Sequence, residues 1–592
     1  MTDTVKHTWF GPAAPIFGTW HLPAGATARA AVVLLPPVGV EAIVARRALR
    51  RLAERLADRG LAALRVDYPG TGDSASLAPD ADHAEAWLAG AADAVAHARD
   101  SGALRVAIVG MRLGAAIAAV AADACRPVDA VVLWDPVESG ARFLREEEML
   151  FRVGVRDARA VASDDEAARG PGTSYSARTV ASLRPLSVTA VLADEADGGR
   201  RVREGLGPVL LVTRTETAGG RVLAEVAEAV GVDAVATPGH VELFDWARLT
   251  VPEAAIDRIV GWLDGVLPGG GTVVDPPLRR EAVVAAAPDG TPVVERLVTV
   301  GPRGGFGIVT QAGPAVGQVL VLTNAAPPAF HVGPAAMWVA IAREHAWSAG
   351  PSLRFDGERA GESPGGGDVT YPTVYTSRAV DDVVEAIRAG RALGDGRIAL
   401  GGLCAAGWAC LKAAEVEPVD SVVAVNPTFW RSRPLTEREA AWPRPTAGSK
   451  DGETSGGGVL RAARDLLRSA ARTLTPEALW WRLAQRGIVR GPSGLVTPAV
   501  RRGTRVQLLL GASEAARFER ARGARLVRAH RSSGLFTVLR ADDVDHSLMT
   551  REARLTVASA LVAMQSGPSD VGIDPHETIT GLMTRTADGG RS

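Results

Sequence analysis

A cysteine stands where a sharp strand-to-helix turn would lift a side chain above a sheet. The segment Gly402-Leu403-Cys404-Ala405-Ala406 has small residues two positions either side of its centre. It follows the apolar run RIALG and leads into the helix-prone GWACLKAAE. Only small neighbours fit so tight a turn, and the central side chain ends up at a helix N-terminus, where the dipole favours thiolate over thiol. A thiolate so placed can attack a carbonyl carbon. The ordinary fate of a cysteine is burial as a small hydrophobe, and Cys410, inside the following helix, is read that way.

A nucleophile needs a base, and the base needs an orienting acid. The run VQLLL is followed by Gly511-Ala512-Ser513-Glu514, and thirty-two residues after Glu514 stands His546, in Asp545-His546-Ser547. With ten histidines in the chain, one at this slot carries weight. Glu514 is the candidate acid, with Asp542, Asp543 and Asp545 competing for the role. The bland reading of His546 is a surface-loop histidine.

An earlier turn, Gly110-Met111-Arg112-Leu113-Gly114, puts arginine at the centre. A guanidinium stays protonated and cannot act as a nucleophile. Glu216 and His240 follow at the matching places, so this is a degenerate first site. Arg112 is open to three readings: an anion binder, a partner of Glu216, or a space-filler. A pairing or structural role is favoured over anion binding, because buried charges are normally paired.

The elements that position these residues occur twice. AVVLLPP matches QVLVLTN, LRVDYPGTGDS matches LRFDGERAGES, and RVAIVGMRLGAA matches RIALGGLCAAGW. The offsets are 290 from Gly11 to Gly301, 289 from Asp67 to Asp356 and 292 from Arg112 to Cys404. A near-constant offset argues for two homologous units. Within each, short apolar runs alternate with amphipathic helical stretches such as RALRRLAERLADRG, which ends at Gly60, as AMWVAIAREHAWSAG ends at Gly350. That pattern predicts an α/β fold with a mainly parallel sheet covered by helices on both faces. The expected organisation is a first unit at 1–267, a Gly/Pro-rich linker at 268–292, a second unit at 293–565 and a loose tail at 566–592. The second unit carries an insertion at about 427–505, read as a helical cap over the sheet. The short connection predicts that the two units pack as one body, in a pseudo-twofold or tandem arrangement.

Composition excludes several classes. A net charge of −1 gives no global field for nucleic acid. Three cysteines cannot make a disulfide framework and fit a reducing compartment. The N-terminus lacks a basic region followed by an apolar run, and the most apolar stretch, Val106–Cys125, is broken by Arg112 and Asp123, so neither a signal peptide nor a membrane span is expected. The expected location is cytoplasmic. No H-E-x-x-H or C-x-x-C suggests a metal, and no G-x-G-x-x-G opens a helix after a strand, so no metal and no cofactor is expected.

With these motifs in view, both halves resemble the α/β-hydrolase fold, close to its serine-aminopeptidase-like branch. LLPPVGVEA and LRVDYPGTGDS also resemble hydrolase-like proteins found with bacterial exopolysaccharide and exosortase systems, where GMRLGA and GLC turns look like recurring variants. The cysteine turn alone is similar to that of dienelactone hydrolases, which use a Cys-His-Asp triad. The chain departs from the usual pattern in three ways: serine is replaced by Cys404 and Arg112, the second acid is Glu514 where Asp is usual, and Asn324-Ala325-Ala326 replaces the family's His-Gly. The resemblance implies an oxyanion hole from the backbone N–H groups of Ala405 and a residue near Ala326. It implies a cofactor-independent hydrolase or acyltransferase acting on a small-molecule ester or thioester through Cys404, His546 and Glu514, with the first half a pseudo-hydrolase. The alternative is a non-catalytic binding or scaffolding protein with both sites degenerate.

Overall fold

Runs such as Ala31–Leu35 and Ser421–Val425 are buried at every position, as strands covered on both faces must be. The computed structural model of the chain describes residues 4–12, 14–78, 80–154, 167–188, 207–215, 219–229, 231–244, 250–314, 317–324, 330–365, 374–436, 439 and 477–563. The first-half strands are β1 (Val5–Phe10), β2 (Ile16–His21), β3 (Thr27–Ala28), β4 (Ala31–Leu35), β5 (Ala62–Val66), β6 (Val106–Met111), β7 (Ala130–Trp134), β8 (Ala168–Gly170), β9 (Thr173–Tyr175), β10 (Val209–Arg214) and β11 (Asp233–Thr237). Then come β12 (Thr272–Val273), β13 (Glu281–Ala286), β14 (Pro292–Val300), β15 (Gly305–Ala312), β16 (Val319–Asn324), β17 (Ser352–Phe355), β18 (Ile398–Leu403), β19 (Ser421–Val425), β20 (Arg505–Leu510) and β21 (Phe536–Arg540).

Among the described residues these make two large sheets, ordered β1-β2-β5-β4-β6-β7-β10-β11 and β13-β14-β15-β17-β16-β18-β19-β20-β21. In each, the leading strands are antiparallel and the run from β5 or β17 onward is parallel. Helices Gly39–Asp58 and Glu253–Val266 cover one face of the first sheet, and His83–Asp100 and Leu113–Ala124 the other. In the second half, Met337–Ser348 and Arg551–Ala563 lie opposite Ser377–Arg391, Ala405–Val416 and Pro492–Arg501. These are two tandem α/β-hydrolase-like units.

Three expectations need correcting. Residues 268–292 are no bare linker: β12 pairs with β3, and β13 is the edge strand of the second sheet. The Pro and Gly around EAVVAA obscured its alternation. The first covering helix begins at Gly39, well before RALRRL, because its opening residues GVEAIVA carry a single charge, Glu41, and so lack the charged periodicity of the later turns. The last part of the insertion, Pro492–Arg501, is a core helix against Trp408. The Gly-rich loop 447–458, the helical stretch LLRSAARTL and the tail lie outside the described residues.

The two halves meet across a pseudo-twofold axis. Phe17 and Phe306, 289 positions apart, touch each other with centroids 6.2 Å apart, as a residue and its own copy do on such an axis. Around them charges are exchanged reciprocally. Arg65 donates to Glu362 at 3.0 Å, while its counterpart Arg354 donates to Asp73, the counterpart of Glu362, at 2.6 Å. Arg50 donates to the Ser363 carbonyl at 3.1 Å and Arg343 to the Ser74 carbonyl at 3.0 Å. Arg46 bridges Asp67 and Glu362; on the other side His331 bridges Asp356 at 2.7 Å and Asp73 at 2.6 Å. Residue i contacting j while j's half returns the contact is what an isologous interface requires.

His331 is fully buried. Burial disfavours its charge, but Asp356 and Asp73 outweigh that and raise its pKa to about 9. A raised folded pKa stabilises the fold most below the ordinary histidine value of about 6.5, and the gain is lost as pH rises through about 9. At full strength that is about 3 kcal/mol. Melting followed from pH 6.5 to 9.5 should show a steeper loss in the native chain than in His331→Asn. Parallel slopes would contradict the bridge's role.

Candidate active site

Cys404 sits at the top of β18 with φ 52° and ψ −110°, a conformation costly for any residue with a Cβ. Arg112 occupies the same strained corner, with φ 56° and ψ −121°. The amide of Cys404 bonds the Val425 carbonyl at 2.8 Å, and that of Arg112 bonds the Trp134 carbonyl at 3.0 Å. A Cβ on Gly402 would lie 2.7 Å from the Ala406 carbonyl carbon, and one on Gly110 2.1 Å from the Gly114 oxygen. Glycine is therefore required at both, and the small-residue pattern read from the sequence has this steric origin. Ala405 begins the following helix.

His546 is hydrogen-bonded to Cys404 on one side, and its Nδ1 lies 3.2 Å from Glu514 Oε1 on the other. Glu514 is buried and also accepts from Ser513 Oγ at 2.9 Å. The three sequence candidates are thus brought together. The competing acids are elsewhere: Asp545 caps the amides of Ser547 and Met549, Asp542 pairs with Arg540, and Asp543 accepts from Thr556. Cys410 is fully buried, which pushes its thiol up to about 12.

Cys404 and His546 each favour the charged form of the other. Burial works against the Cys404 thiolate, but the hydrogen bond and charge of His546, helped by Tyr375 and Thr428, outweigh it and lower the thiol's pKa. The hydrogen bonds to Cys404 and Glu514 raise His546 to about 10 against its partial burial. Burial likewise opposes the Glu514 charge, yet bonding to His546 and Ser513 holds that carboxyl below its ordinary range.

Three residues the sequence did not single out complete the site. Tyr375 Oη lies 3.7 Å from Cys404 Sγ, and its ring is fixed between Trp408 and Phe429. Thr428 adds its hydroxyl. Asn426 is fully buried; its Nδ2 donates to the Asp545 carbonyl at 3.0 Å and its Oδ1 accepts from the Gly511 amide at 2.8 Å. It ties the histidine loop to the acid loop. Only its place just after a strand hinted at this.

At the first turn Arg112 is fully engaged. It donates to Glu41 at 2.9 Å and Glu146 at 3.2 Å, and lies 3.8 Å from Asp135. Burial alone would weaken its charge; these carboxylates more than restore it. Glu216 lies outside the described residues, as does Ala326. His240 is buried and used by its neighbours: Nε2 accepts from Trp134 at 2.9 Å and Nδ1 faces the Thr237 carbonyl at 3.1 Å. No group of His, Cys, Asp and Glu among the described residues could hold a metal ion, and no described helix is long and apolar enough to cross a membrane.

No protein-family model and no curated protein matches the chain. Solved structures do. Est1E from Butyrivibrio proteoclasticus is 17% identical with a TM-score of 0.32, over 44% of this chain and 99% of that one. An esterase from Pyrobaculum calidifontis is 21% identical with a TM-score of 0.31, over 44% of this chain and 86% of that one. One from Pyrococcus furiosus is 15% identical with a TM-score of 0.31, over 45% of this chain and 92% of that one.

Proposed function

We propose that the second half is a cysteine-dependent acyl hydrolase or acyltransferase for a small-molecule ester or thioester. The observation that carries this is the thiol on a strained strand-to-helix corner, hydrogen-bonded to an imidazole that is backed by a buried carboxylate. Cys404 Sγ attacks the carbonyl carbon, and the carbonyl electrons move to the oxygen, held by the N–H of Ala405 and a donor near Ala326. His546 gives its proton to the departing alkoxide or thiolate, leaving a thioester on Cys404. It then takes a proton from water or another acceptor, which attacks and releases the acyl group. Glu514 orients the imidazole throughout. Amides are poorer substrates, because an amine leaves less readily than the thiolate that attacked. The first half, 1–267, is a pseudo-hydrolase, and three free cysteines suit a reducing, cytoplasmic setting.

An electrophilic thioester probe should modify Cys404. Cys404→Ala should abolish labelling and turnover of p-nitrophenyl esters, Cys410→Ala should keep most of both, and Cys404→Ser a trace. Equal losses from both alanine variants would mean a packing effect and sink the assignment. Tyr375→Phe removes one donor to the thiolate, so the acid limb of the kcat/KM profile should move to higher pH with the high-pH plateau largely kept. An unmoved limb would give Tyr375 a packing role only.

A further inference from the structure

Between β7 and β10 the first half carries a small hairpin whose tip reaches the second half. β8 and β9 pair antiparallel with Gly170 opposite Thr173, so Pro171-Gly172 is the whole turn. Gly172 has φ 73°, which costs glycine little. The arm is tied down at its base. Tyr175 is buried, its Oη donates to Glu147 Oε2 at 3.1 Å, and its ring stands edge-on to Phe143 at 6.0 Å. A Cβ on Gly170 would lie 1.9 Å from the same Glu147 oxygen, so only glycine lets β8 lie this close to helix Gly140–Gly154. At the tip, the Gly172 amide donates to the Met549 carbonyl at 3.0 Å. Met549 is three residues after His546, in a stretch with neither helix nor strand. Individual hydrogen bonds hold that loop. Asp545 accepts from the Ser547 and Met549 amides, Asn426 donates to the Asp545 carbonyl, and Arg554 donates to the Leu548 and Met549 carbonyls at 3.1 Å. Of these bonds and that from Gly172, only the last comes from the other half. On its other side the tip packs on Ala335, in the chain leading from β16 into helix Met337–Ser348. The tip is wedged between that chain and the histidine loop.

We propose that the first half positions His546: the β8–β9 arm, through Gly172 and Met549, holds the histidine loop where the imidazole meets the Cys404 thiol. This rests on the Cys404–His546 assignment above, and it makes the pseudo-hydrolase a working part of its twin's site. Gly172 is a positioning residue, acting through the loop and away from the sulfur. A shift of the loop by a fraction of an ångström weakens the hydrogen bond that holds the thiolate, so the arm's effect is read in the chemistry of Cys404.

The test uses the full-length chain. Gly172→Asn supplies a residue that tolerates positive φ but sets a Cβ 2.9 Å from that of Ala335, which pushes the tip off the loop. The midpoint of Cys404 alkylation by iodoacetamide should rise, because the imidazole withdraws from the thiol. For p-nitrophenyl acetate, kcat should fall on the order of 10–100-fold with KM nearly unchanged, the scale of a slightly misplaced catalytic group. Adding Ala335→Gly clears the space and should restore both. Val95→Ala, a cavity in the first half's core, should lower the melting temperature and move neither. If Gly172→Asn does not fold, Tyr175→Phe, which frees the base of the arm from Glu147, carries the test with the same signs. The alkylation arm needs no substrate, so it reads the loop whether or not the ester turns over. An unmoved midpoint in a folded Gly172→Asn chain, or no recovery in the double variant, would overturn the inference and leave the Cys404 assignment standing. A native midpoint at the ordinary cysteine value of about 8.5 would overturn both.

Discussion

Arg354→Ala should destabilise the chain by about 3–5 kcal/mol, the ordinary cost of breaking a fully buried ion pair from one side. Its guanidinium is completely buried, donating to Asp73 at 2.6 Å and to Glu295 at 2.8 Å. Truncation leaves both carboxylates in the junction with one cation fewer, although His331 and Arg343 remain beside them. The control is Arg55→Ala, whose pairing with Asp257 is half in water and is worth less than about 1 kcal/mol. Urea unfolding of the two variants measures the difference. Equal shifts would show that the junction charges are no better coupled than surface ones.

The second large effect is expected from His546→Ala. Turnover should fall on the order of 10²–10⁴-fold, the usual contribution of a positioned acid–base group. A readout independent of substrate is the pH dependence of Cys404 alkylation by iodoacetamide. The depressed thiol keeps its thiolate at pH above its lowered pKa and loses it only as pH falls through that value. Without the imidazolium the midpoint should climb toward the ordinary cysteine value of about 8.5. Glu514→Gln should move it less, since Glu514 acts through the imidazole rather than on the sulfur. A midpoint unchanged in His546→Ala would remove this charge coupling from the account.

The strand-to-helix turn could be read from the sequence because its steric demand is local: glycine at 402 and 110 is dictated by atoms four residues on. Glu514 and His546 were visible because each ends a strand-to-loop segment at the slot the chain order sets aside. Tyr375, Thr428 and Asn426 were not. Tyr375 comes from the loop before helix Ser377–Arg391, and Asn426 and Thr428 share the segment after β19; what brings them to the sulfur or its loops is sheet geometry, which leaves no spacing in the sequence. The partners of Arg112 escaped for the same reason; Glu41 and Glu146 lie on helices far from it in the chain. The repeat itself was plain, and it already aligned Arg65 with Arg354 and Asp73 with Glu362. That the pairs cross between halves could not be seen, because alignment equates positions without saying which copy answers which.

The crossed pairing bears on how the chain can be cut. At Gly269 and Gly270 the backbone runs through open space, and a Cβ there would meet nothing within 4 Å. Cleavage at that point severs the covalent link but leaves Arg65 on Glu362, Arg354 on Asp73 and the Phe17–Phe306 contact untouched. A nicked molecule therefore stays together as a heterodimer. The same geometry makes the two segments natural fragments for complementation, each carrying the counter-ions that the other needs before it can bury its own.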